Sequence, residues 1–146
     1  MRTIDDTSPG MPDINPRKVC FIAAKARELF SEEEGARPDA SNASDDGERV
    51  ILTDAAYGPI RAELEQYIDD LDVDEAAALV ALMWVGRGDF EAGDVEDAVV
   101  QARERGQTPT AQYLLGEPLV ADYLEDALAA FGHSCRDFDL GPEAEV

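Results

Sequence analysis

Between Ala76 and Val85 the chain runs ten residues without a polar side chain (AAALVALMWV). On either side the pattern changes, and apolar positions recur every three or four residues among polar ones. Asp72 stands before the run with Glu75 three places on, a D-x-x-E variant of the capping box. In that box each side chain accepts from a backbone N–H that the first helical turn leaves unpaired. Gly86 and Gly88 follow the run as stop signals. The pattern predicts a helix over 73–85, roughly 20 Å long at about 1.5 Å per residue. Because it is apolar on every side, it must be wrapped by other elements. It is also shorter than the ~20 apolar residues that span a bilayer.

The remaining pattern supplies the wrapping. Asn15-Pro16 is a cap followed by a proline at the first helical position. Val19, Ile22, Ala23, Ala26, Leu29 and Phe30 then mark an amphipathic helix over 15–30, with Cys20 as a small core residue. Ile60, Leu64, Tyr67, Ile68 and Leu71 mark another, with Arg61 and Glu65 as an exposed i,i+4 pair. Val95, Ala98, Val99 and Ala102 mark a fourth helix. Asp94 or Asp89 would cap it, Arg103 and Arg105 suit its last turn, and Gly106 stops it. Thr108-Pro109 opens a short helix holding Tyr113, Leu114 and Leu115, closed by Gly116. Pro118 opens the last, with Leu119, Val120, Tyr123, Leu124, Ala127, Leu128 and Phe131 on one side and Gly132 at its end.

Between these segments the pattern lapses. Residues 1–14 read as a flexible arm and 133–146 as a frayed polar tail. Residues 31–48 (SEEEGARPDASNASDDGE) carry no large apolar side chain and read as an acidic flexible linker. Val50-Ile51-Leu52 is a short strand or a helical turn, since periodicity cannot decide over so few residues. The predicted fold is all-α, a compact bundle of about five to six helices around a buried central helix (73–85), with its core domain over 49–132.

Composition adds charge to this picture. A chain of 146 residues is most simply one domain. Its 33 acidic and 12 basic side chains give a net charge of −21. The excess is −5 over residues 1–58 and −16 over residues 59–146. Such a field repels phosphate backbones and anionic lipid, so neither nucleic acid nor membrane is expected as a direct partner. It suits a basic protein partner, a cation, or plain solubility. The basic side chains are ten Arg and two Lys, and an acid-rich, Lys-poor surface suits high salt. Cys20 and Cys135 form no metal or redox spacing, and two cysteines do not make a disulfide framework. The N-terminus has no apolar leader. A soluble protein in a reducing cytoplasm is the default expectation.

Several motifs resemble chemical sites, and each lacks a feature its chemistry needs. Asp70-Leu71-Asp72-Val73-Asp74 opens like a calcium loop, but position six is Glu75 instead of Gly and position twelve is Ala81 instead of Glu. Asp137-x-Asp139 with Gly141 fails because the given sequence has no twelfth position. The single histidine, His133, has Ala130 three residues before it, so no Glu-x-x-His pair exists for a bridged metal site. Zinc would need more Cys or His ligands than the three present. Asp122, Glu125 and Asp126 share a helical face that could hold a divalent cation, although a solvated face explains them better. Cys135 lacks a second Gly and a partner base for nucleophilic work. Gly86-Arg87-Gly88-Asp89-Phe90-Glu91 ends in Glu and follows a helix, which rules out a dinucleotide loop. Arg87-Gly88-Asp89 as an adhesion tripeptide would need an exposed extracellular loop. No catalytic, cofactor-binding or metal-binding residue is therefore assigned.

One binding candidate remains. Arg87 is among five basic residues in the acidic segment 59–146 and directly follows the buried helix. It either pairs with a carboxylate such as Asp89 or Asp122, tying helices together, or joins Trp84, Tyr113 and Tyr123 in lining a groove. Aromatics and arginine dominate binding surfaces.

The run LVALMWVGRGDF (Leu79–Phe90) followed by YLLGEPLVADYLEDAL (Tyr113–Leu128) resembles a family of small bacterial proteins known as domain of unknown function 3775. The likeness extends from about Ile60 to Gly132. It implies an all-helical fold and supplies no catalytic residues. The residues thus favour a non-enzymatic interaction domain whose protein partner is unknown and suits being basic, with salt-sensitive association. The alternative is a small-ligand or divalent-cation binding domain with weak hydrolytic activity, using Arg87 and the Asp122/Asp126 face. Phosphate mimicry by acidic helices has only charge behind it.

Overall fold

Both arms of the expected capping box are present. The Glu75 N–H donates to Asp72 Oδ1 at 2.8 Å and the Asp72 N–H donates to Glu75 Oε1 at 3.1 Å. They start a central helix, α3 (Val73–Arg87), in which Ala77 to Met83 are all buried. The protein, seen here in a computed structural model, is described over residues 10–36, 46–106 and 108–137. Among the described residues five further helices accompany α3: α1 (Pro16–Ala36), α2 (Asp46–Asp69), α4 (Val95–Arg105), α5 (Thr110–Leu115) and α6 (Val120–Ala130). Short 3-10 turns lie at Ala92–Asp94 and Cys135–Asp137. No strand occurs among the described residues, so Val50-Ile51-Leu52 is helical.

The central helix packs chiefly on α6 and α4; α1 packs on α6 and α2, and α2 reaches α5. The expectation of a buried rod holds along its middle. Its ends emerge, with Trp84 and Val85 half-buried and Val73 exposed. The apolar faces of α1 (Val19, Ile22, Ala23, Leu29), α2 (Leu64, Ile68) and α6 (Leu124, Ala127, Leu128) join it in one core. No polar or charged residue is buried among the described ones. No described helix is long and apolar enough to cross a membrane.

Two glycines near the end of α3 do different work. Gly88, at φ +96°, takes the left-handed conformation that Cβ-bearing residues avoid. Its N–H reaches the Val85 carbonyl and the Asp89 N–H reaches that of Trp84, which together form a Schellman stop. Gly86, read from sequence as part of that stop, is a helical residue at the α3–α6 crossing. A Cβ there would fall 1.8 Å from the Tyr123 carbonyl oxygen.

Other boundaries depart from the pattern. Asn15 caps α1 as expected, its Oδ1 accepting from the Arg17 N–H at 2.8 Å. The helix then runs past Phe30 to Ala36, because glutamates prolong a helix without needing a core to face. Residues 37–45 of the proposed linker, 1–9 of the arm and 138–146 of the tail lie outside the described residues. Ile14, at the end of the expected arm, is buried in the core. Pro59 sits inside α2, where its missing N–H removes one helical hydrogen bond. Thr108 does not cap α5. The Ala111 N–H instead finds Asp69 Oδ1 from the end of α2, at a long 3.4 Å.

The largest correction concerns the cysteines. Cys20 and Cys135 are joined in a disulfide, with their Cα atoms 5.5 Å apart. Cys20 is therefore no unpaired core thiol, and the segment after His133 is held to α1 through Cys135. At a separation of 115 residues, the pair leaves no local spacing for a sequence reading to find.

Candidate functional site

Four of the six proposed groove residues form a connected set at the C-terminal end of α3. The Trp84 indole Nε1–H donates to the Tyr113 hydroxyl at 2.9 Å, joining α3 to α5. The Trp84 ring stacks on Phe90, centroids 5.8 Å apart and planes 20° from parallel. Arg87 directs Nε and Nη2 at one oxygen of Asp89, at 2.8 and 2.7 Å. Its Nη1 lies 3.6 Å from Glu117, just before α6. Hydrogen bonding to Asp89 holds the Arg87 guanidinium above its ordinary range; burial opposes this, and the Tyr113 hydroxyl adds to it. Arg87 is thus engaged by the protein's own groups, and it ties the end of α3 to the approach to α6. Tyr123 meets this end of α3 through its backbone, against Gly86.

Asp122 lies apart from that set. It accepts from Arg27 Nη1 at 2.9 Å, while Nη2 of the same guanidinium reaches Glu125 at 2.8 Å. Hydrogen bonds to Asp122 and then Glu125 raise the Arg27 pKa against the effect of burial. The face read as a possible cation holder therefore carries a guanidinium across two of its carboxylates. Among the described residues no group of three or more His, Cys, Asp or Glu is placed to hold a metal ion.

Sequence reading gave Lys18, Arg27, Arg103 and Arg105 no site role. Lys18 pairs with Glu75 at 2.6 Å, and Arg103 pairs with Asp74. Arg105 stacks over the Tyr113 ring, its guanidinium carbon 4.3 Å from the centroid. The partners of Lys18, Arg27 and Arg103 stand 57, 95 and 29 positions away along the chain, whereas Arg105 meets Tyr113 within its own neighbourhood, one short helix on.

Clefts flank α4 among the described residues. One, of about 300 Å³, opens between α3, the end of α4 and the start of α5; Val80, Ala102, Arg103, Arg105 and Thr110 are among its walls. Another, of about 550 Å³, lies between residues 10–13 and α4; Asp13, Asp74, Glu96 and Val99 are among its walls. Neither is lined by Trp84, Arg87, Asp89, Tyr113, Asp122 or Tyr123.

The family model described as "Protein of unknown function (DUF3775)" matches residues 61–133, half of the chain. That span runs from the middle of α2 to the residue after the α6 stop, and leaves α1 outside it. No curated protein and no solved structure matches the chain.

Proposed function

The chain belongs to the DUF3775 family of proteins of unknown function, and from that premise we propose that it is a non-enzymatic helical module binding a basic segment of another protein. One observation carries the reading. The cations Lys18, Arg27, Arg87 and Arg103 are paired with the chain's own carboxylates. Glu96, Asp97 and Glu104 on the outer face of α4 are exposed and have no ion-pair partner among the described residues. They surround Val100, which is 53% exposed. A cationic helix or extended segment would meet unpaired negative charge around an apolar contact there. Long-range attraction would speed its association and make it salt-sensitive.

Fluorescence anisotropy of a labelled lysine-rich peptide tests the proposal. Saturable binding should weaken as salt is raised, and should fall at least about tenfold in the triple variant Glu96→Gln, Asp97→Asn, Glu104→Gln. A control variant removing equal charge elsewhere (Glu63→Gln, Asp70→Asn, Asp126→Asn) should bind nearly as well as the parent. Equal losses in the two variants, or no saturable binding, would overturn the α4 assignment.

A further inference from the structure

The smaller cleft has a charge pattern opposite to the rest of the molecule. In a chain of net charge −21, its walls carry two guanidinium groups, Arg103 and Arg105, and no carboxylate among the described residues. Arg103 is matched by Asp74. Arg105 has no carboxylate partner among the described residues. Its Nη1 donates to the Thr108 carbonyl at 3.1 Å, and its Nη2 reaches Thr110 Oγ1 at a long 3.4 Å. The buried Nε has no hydrogen-bond partner. A guanidinium carries five N–H donors, so Arg105 retains capacity for an acceptor, and the Tyr113 ring beneath it limits its freedom. The rest of the lining includes apolar side chains, Ala76, Ala77 and Val80 of α3 and Ala102 of α4.

We propose that this cleft binds a small organic carboxylate, its head on Arg105 and Thr110 and its apolar body along the α3–α4 wall. The chemistry follows from the two walls. A carboxylate matches the planar donor fork of a guanidinium and offers the charge that Arg105 lacks. An apolar body removes water from the alanine and valine surface of the same cleft. The volume of about 300 Å³ corresponds to roughly ten water molecules at liquid density, which suits a ligand of ~8 to 10 non-hydrogen atoms. The site is independent of the outer α4 face and does not need a basic protein partner.

Hexanoate is the probe, followed by amide chemical shifts in a ¹H–¹⁵N titration of the full chain. Acetate supplies the head without the body, and 1-hexanol the body without the charge. Hexanoate should produce saturable shifts at Ala77, Ala102 and Thr110, and the two controls should bind at least about tenfold more weakly. Arg105→Gln should lose that affinity by a similar factor. Val73→Glu sets a carboxylate at the cleft from a position that is 72% exposed, so the fold tolerates it; it should weaken hexanoate equally. Absent shifts, shifts centred elsewhere, 1-hexanol binding as well as hexanoate, or undiminished affinity in Val73→Glu would each overturn the proposal.

Discussion

Glu75 holds Lys18 at 2.6 Å with one carboxylate oxygen and accepts the Asp72 N–H at 3.1 Å with the other. A single side chain thereby fastens α1 to the start of α3 and closes the capping box. Glu75→Gln keeps an acceptor for Asp72 and loses the ionic attraction, at a cost of about 0.5 kcal/mol for a pair this exposed. Glu75→Ala loses both, adding about 1 kcal/mol for the cap. Urea unfolding of the two variants should separate these costs; equal values would mean that the Glu75 arm of the box contributes nothing measurable.

The same corner sets an alkaline limit. The Glu75 hydrogen bond holds the Lys18 ammonium above its ordinary value of 10.5, against some desolvation. Burial raises the Tyr67 hydroxyl above 10.0, with Lys18 opposing and Glu75 adding to the shift. Both groups hold their protons more tightly folded than unfolded. Their contribution is therefore complete below the unfolded values and is lost as pH climbs through the folded ones. The melting temperature should stay level on approaching pH ~10 and fall above it. In Lys18→Met and Tyr67→Phe the decline should be shallower.

Gly86 and Gly88 should respond differently to the same substitution. Gly86→Ala gains about 1 kcal/mol of helix propensity but drives a methyl to 1.8 Å from the Tyr123 oxygen. Backbone cannot yield as a side-chain tip can, so a net loss of ~3 kcal/mol or more is expected. Gly88→Ala meets nothing within 4 Å and suffers only from its φ of +96°, a loss of about 1–2 kcal/mol. Denaturant midpoints of the two variants would rank them; the reverse order would refute the close α3–α6 crossing.

The single tryptophan reports on the α3–α5 junction. Tyr113→Phe keeps the ring under Arg105 and removes the acceptor of the Trp84 N–H, at about 1 kcal/mol. Tyr113→Ala also removes the ring and should cost ~3 kcal/mol. Both should shift the fluorescence maximum of Trp84 in the folded protein. An unchanged spectrum in both variants would mean that the indole bond does not persist in solution.

Reduction of Cys20–Cys135 should lower stability by about 2–5 kcal/mol, since the bond closes a loop with a separation of 115 residues. Cys135→Ser should show the lowered midpoint without reductant and no further change when reductant is added. A wild-type midpoint indifferent to reductant, with both thiols shown free by mass, would contradict this.

The elements most legible in the sequence were those specified by neighbours along the chain. The α3 cap, its apolar run and the stop at Gly88 all fall within 17 residues, Asp72 to Gly88. The start of α1 at Asn15-Pro16 and the α6 stop at Gly132 are similarly local. What escaped depends on groups brought together only by packing. Gly86 reads as punctuation until α6 is laid across it. Arg27 and Asp122 stand 95 positions apart, and no spacing rule connects them. Within the candidate site, Arg87 with Asp89 is readable because they are two residues apart, whereas the sequence places Trp84 with Tyr113 only in a shared groove and shows no hydrogen bond between them. The end of α1 lies beyond Phe30 and is not legible, because apolar periodicity cannot place a helix end once the large apolar positions run out.

The cysteine bond has a topological consequence. Any single backbone cut between residues 21 and 134 leaves both fragments on one molecule, because the two halves stay tethered through Cys20 and Cys135. A protease nick anywhere in that span would go unseen by size until the sample met a thiol. Fragments on either side of that nick could then be separated and asked, each alone, whether it still folds.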